Sequence, residues 1–136
     1  MKDYVLYLRK CPGVTKPRHF KIGIAALLKV RTRIGTYQQA VGPVYTEEFL
    51  RIWVGDEIDV REAEKQIKRN FKDKIASAEA GLSEWICEIN MSEILAFVDE
   101  LRNEYFIKLI DAPKKFQPLS MPLCEDLIEW YSTVEK

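Results

Sequence analysis

The chain has 136 residues, 47% of them hydrophobic and 31% charged, with 21 Lys/Arg balancing 21 Asp/Glu. That length suits one domain able to bury a core without staples, and the composition excludes a collagen-like or low-complexity chain. Cys11, Cys87 and Cys124 are odd in number, far apart and without a C-x-x-C pairing, and His19 is the single histidine. A disulfide framework and a structural zinc site are both excluded on that pattern.

The balanced charge conceals an asymmetry. Residues 1–78 carry 16 Lys/Arg against 9 Asp/Glu, and residues 79–136 carry 5 against 12. A basic front half joined to an acidic back half fits a polyanionic partner, and equally two halves that complement each other. No apolar run approaches bilayer-spanning length and no signal-type segment leads the chain, so the expected location is cytoplasmic, with no membrane partner.

In chain order, residues 3–9 read as a strand with Tyr4, Leu6 and Leu8 on one face and Val5, Tyr7 and Arg9 on the other. Pro12, Gly13 and Pro17 mark a loop, and residues 19–25 form a second strand, antiparallel to the first. That strand holds Lys21-Ile22-Gly23, whose glycine permits a close approach to the backbone. Residues 27–41 follow a helical period: Leu27, Val30, Ile34, Tyr37 and Val41 share about 80° of arc, and Gly42-Pro43 ends the helix. Arg31 and Arg33 flank that face on opposite sides. Residues 47–54 form a third strand.

Gly55 to Ile58 reads as a turn, with Asp59 as N-cap and Glu62 completing an acidic capping box for a helix from Val60 to about Ile75. On this helix Val60, Ala63, Ile67 and Phe71 fall within about 80° of arc, and Glu64 lies about 20° beyond its edge. A carboxylate beside a core stripe needs a partner or a metal. Its partner is either Lys68, one turn on, or a divalent cation completed by water and phosphate, which suits Mg²⁺. Residues 83–89 read as a short strand. Ser92 caps a helix with Ile94, Val98, Leu101 and Tyr105 on its apolar face. Three prolines make residues 111–122 a linker, and an amphipathic helix runs from Leu123 to about Val134.

The succession of a tyrosine-bearing strand, a Lys-Ile-Gly strand, an arginine-bearing helix, a strand and a helix with an inward glutamate resembles the GIY-YIG nuclease superfamily, in particular its phage-type subgroup with Lys-Ile-Gly as the second motif. The residues that carry the resemblance are Tyr4-Val5-Leu6-Tyr7, Phe20-Lys21-Ile22-Gly23-Ile24, Arg33-Ile34-Gly35-Thr36-Tyr37-Gln38, Val60-Arg61-Glu62-Ala63-Glu64-Lys65-Gln66-Ile67 and Gly81-Leu82-Ser83-Glu84-Trp85-Ile86. The match runs from Tyr4 to Ile89. The motif's leading glycine is absent, and Lys68 stands where the subgroup often has histidine.

The resemblance implies a small α/β fold with a central three-stranded antiparallel sheet flanked by helices. Residues 1–90 would be the nuclease core and residues 91–136 a C-terminal helical extension that braces it, contacts DNA or forms a homodimer. It implies a DNA endonuclease that hydrolyses phosphodiesters with one Mg²⁺ (or Mn²⁺), in the host cytoplasm if the chain is phage-encoded. Glu64 would bind the metal. Tyr4 or Tyr7, with Lys21, would handle the attacking water. Spacing from the glycine selects Arg31 as the phosphate ligand; the local Arg-Ile-x-x-Tyr-Gln pattern selects Arg33, which is preferred. Lys21, Arg31, Arg33 and Lys68 would contact DNA. Two other functions compete: a catalytically inactive nucleic-acid-binding module of the same fold, and a protein-interaction domain acting through the acidic C-terminal helices.

Overall fold

The computed structural model describes residues 3–10, 20–29, 48–74, 85–86, 89–116 and 121–134. Its spine is an antiparallel sheet in which β1 (Asp3–Lys10) lies between β2 (Phe20–Ala26) and β3 (Glu48–Asp56). Two short strands extend it: β4 (Trp85–Ile86) beside β2 and β5 (Ile110–Asp111) beside β3. The mixed α/β class is as expected. The sheet is not: among the described residues it has five strands rather than three, and only the central three are long.

β1 can take the middle position because both of its faces are apolar, as a strand covered on both sides requires. Leu6 and Leu8 face one hydrophobic cluster; Val5 and Tyr7 face the other. The first cluster is closed by α1 (Glu57–Asn70) through Val60, Ala63 and Ile67, and by α2 (Met91–Glu104) through Ile94, Val98 and Leu101. The second is closed by Phe116, from a 3-10 turn at Lys114–Phe116, and by Leu127 and Tyr131 of α3 (Met121–Val134). The segment beyond residue 90 thus contributes to both clusters.

Four local expectations are corrected. Residues 55–58 are not a turn: β3 runs through Asp56 and α1 begins at once with Glu57, so Asp59 lies in the first turn and is not the cap. Gly55 serves a close approach instead, since a Cβ there would lie 2.7 Å from the backbone oxygen of Lys108. Glu57 and Asp59 in the first turn still complement the positive end of the helix. The same helix ends earlier than Ile75, where the Phe71 N–H bonds to the Ile67 oxygen. α2 is capped at Asn90 rather than Ser92, and the Glu93 carboxylate accepts the Asn90 N–H at 3.1 Å.

The same helix ends at Glu104, so Tyr105 leaves the apolar face and is 56% exposed. The N–H groups of Tyr105 and Ile107 both reach the Leu101 oxygen, with Phe106 between them at φ 56°. β5 reaches into the proline-bearing linker only at Asp111, and Phe116 within the linker is fully buried. Of the helix expected over residues 27–41, Leu27–Lys29 form a 3-10 turn and the rest lies outside the described residues. Among the described residues no helix is long and apolar enough to cross a membrane.

Candidate functional site

The site forms along β2, where the pairing with β4 covers only Phe20 and Lys21. β1 and β2 are in register with Tyr7 opposite Gly23 and Arg9 opposite Lys21, so these four positions share one face of the sheet. α1 covers the other face. Joining the two faces in one cleft requires a side chain to cross β2, and Gly23 is where that happens. A Cβ on Gly23 would lie 2.7 Å from Cε1 of Tyr7 and closer still to its hydroxyl. The bare backbone lets the ring lie across the strand. The guanidinium of Arg9, itself buried, sits 5.1 Å from the ring centroid.

The result is an open cleft of about 240 Å³ lined by Tyr7, Lys21, Gly23, Ile24, Arg61, Glu64 and Lys68. Five of these were anticipated from the sequence: Tyr7, Lys21, Gly23, Glu64 and Lys68. Tyr4 is not among them. It lies on the opposite face of β1, packs against the cluster under α1, and lines the neighbouring hollow. Arg31 and Arg33 lie outside the described residues.

The helix wheel places Glu64 as expected. Val60, Ala63 and Ile67 are fully buried, and Glu64 stands at the margin with 22% of its side chain exposed. Lys68 lies one turn on, its Nζ 3.6 Å from Glu64 Oε2. The local ion pair and the cleft-facing carboxylate are therefore both present. Such a half-exposed pair contributes at most about 1 kcal/mol.

Two residues were missed. Arg61 lines both hollows, donates from Nε to Glu57 at 2.9 Å and from Nη2 to the Tyr4 hydroxyl at 3.4 Å, and lies over the Tyr4 ring. Its bonds to Glu57 and then to Tyr4 raise its pKa above the ordinary arginine value. The signal was present in the spacing, since Arg61, Glu64 and Lys68 fall within about 60° of arc on α1. Arg9 was read only as a face-alternating strand residue; nothing in its sequence context shows that it stacks on Tyr7.

Among the described residues, no group of three or more His, Cys, Asp or Glu side chains comes together to cage a metal. Glu64 is one oxygen donor on a water-accessible cleft. That fits Mg²⁺, which keeps several waters and binds through one or two carboxylates plus substrate phosphate. A family model, a curated protein sequence or a solved structure matching this chain was not found in any of the three comparisons.

Proposed function

We propose that the chain is a metal-dependent DNA endonuclease of the GIY-YIG type, hydrolysing a phosphodiester with a single Mg²⁺ or Mn²⁺. One observation carries the reading. Tyr7, Lys21 and Glu64, from β1, β2 and α1, line one open cleft that joins the two faces of the sheet.

In this reading Tyr7 and Lys21 are diagonal neighbours on adjacent strands, close enough to act on one water. The phenol would orient it, or as the phenolate would take its proton, and the ammonium keeps negative charge favourable beside it. Glu64 would hold the cation, which when bound would neutralise charge developing on the phosphate and the departing 3′-oxygen. Lys21 and Lys68 supply positive charge to the phosphate backbone, as the basic front half of the chain does more broadly. The arginine on the scissile phosphate would be Arg31 or Arg33.

One observation favours the inactive binding module. The Lys68 ammonium already neutralises Glu64 and would have to yield to a metal. Incubation of supercoiled DNA with Mg²⁺ or Mn²⁺ separates the two. The nuclease reading expects nicking or linearisation, abolished by chelator and reduced at least about 100-fold in Glu64→Gln. Binding without cutting by the wild type in both metals would overturn it.

A further inference from the structure

A second hollow of about 240 Å³ adjoins the first along β2. The two share Ile24 and Arg61, so they make one groove that runs from Lys21 and Lys68 at one end to Tyr4 and Lys29 at the other. The charges along it are uneven. Lys21, Lys29, Arg61 and Lys68 are cationic, and among the described residues Glu64 is the one acidic side chain lining either hollow. Among the described residues the Lys29 end therefore carries cations and a phenol and no carboxylate.

Arg61 stands where the hollows meet. A guanidinium has five N–H donors in a rigid plane. The Nε donor goes to Glu57 and one Nη2 donor to Tyr4, which holds the plane and leaves Nη1 and part of Nη2 available on a side chain that is 57% exposed. A planar, oriented donor edge on an open groove is the arrangement that takes a phosphate bidentately. A tie between α1 and β1 would need the two bonds but not the shared wall of two hollows or Lys29.

We propose that Arg61, with Lys29, grips the DNA backbone phosphate adjacent to the scissile one, making the second hollow a flanking-phosphate subsite. The proposal rests on the nuclease reading. It also gives Arg61 a role that Arg31 and Arg33 do not share, because it acts on a neighbouring phosphate and not on the reacting one.

The test is the salt dependence of binding to a labelled duplex, followed by fluorescence anisotropy in chelator so that nothing is cut. Each phosphate contact contributes about one to the slope of log affinity against log salt. Arg61→Ala should bind more weakly and lose about one unit of slope. Arg61→Gln, which removes the charge but keeps a polar side chain with two N–H donors, should lose the same unit if Arg61→Ala proves poorly folded. Arg61→Lys should keep the slope, and Lys29→Ala should lose a further unit or a fraction of one. Weaker binding with an unchanged slope would mean a structural tie and overturn the proposal. A wild type that binds and cuts while Arg61→Ala keeps its slope would overturn the proposal alone. A wild type that neither binds nor cuts would overturn the nuclease reading and the proposal with it.

Discussion

The ring of Tyr7 occupies the space that a side chain on Gly23 would fill. The residue that meets this space is not a flexible tip but the far half of a buried aromatic ring, held against the Arg9 guanidinium. Gly23→Ala should therefore destabilise the protein by about 1–3 kcal/mol, as overpacking does. Denaturant unfolding measures it. Combined with Tyr7→Ala, the effects should be non-additive by more than about 0.5 kcal/mol, because the clash vanishes with the ring. Additive values would mean that the ring does not cross β2.

The ammonium of Lys68 and a bound cation would compete for Glu64. Lys68→Ala should therefore lower the Mg²⁺ concentration that half-saturates cleavage, by up to about fivefold, the factor matching an exposed pair of at most about 1 kcal/mol. A magnesium titration of cleavage at saturating DNA reads this directly. A half-saturation point raised by the substitution would overturn the competition.

Phe116 and Leu127 are fully buried against β1 and β3 from the C-terminal part of the chain. Phe116→Ala should cost about 3–5 kcal/mol and Leu127→Ala about 2–5 kcal/mol. A chain ended after residue 90 should show no cooperative thermal transition, since it also loses Ile94, Val98 and Leu101 from the other cluster. A cooperative melt of that fragment would show that the front of the chain folds without them.

Phe106 is 80% exposed and holds a left-handed backbone at the end of α2, a place usually taken by glycine or asparagine. Phe106→Asn should raise stability by about 1 kcal/mol, since a bulky side chain in that conformation costs about 1–2 kcal/mol. Urea unfolding should show a higher midpoint with the slope unchanged.

Period-2 and period-3.6 patterns located the elements that matter for the site. The alternation in β1 put Tyr4 and Tyr7 on opposite faces, and the wheel of α1 put Glu64 at the margin of its buried stripe. What the sequence left open was which tyrosine reaches the cleft. That depends on the register of Tyr7 against Gly23, which is a tertiary fact. Helix starts were misplaced where another signal competed. Asp59 looked like a cap because Gly55 looked like a turn, whereas Gly55 is small to admit the Lys108 carbonyl. Ser92 drew attention from Asn90, although Asn90 with Glu93 has the capping-box spacing. β5 was illegible because a strand of two residues, ended by Ala112-Pro113, carries no periodicity.

β1 is the central strand of the sheet, paired along its length with β2 on one side and β3 on the other. Its partner in β3 lies far along the chain, Asp3 pairing with Asp56. Nearest-neighbour contacts cannot complete the sheet, so closure waits on a long loop, and non-local strand pairing is slow, in the range of milliseconds to seconds. During synthesis, at about 5–20 residues per second, the two apolar faces of β1 spend seconds uncovered before α1, α2, Phe116 and α3 emerge to close them. The strand that gives the cleft its phenol is therefore also a segment open to aggregation during biogenesis.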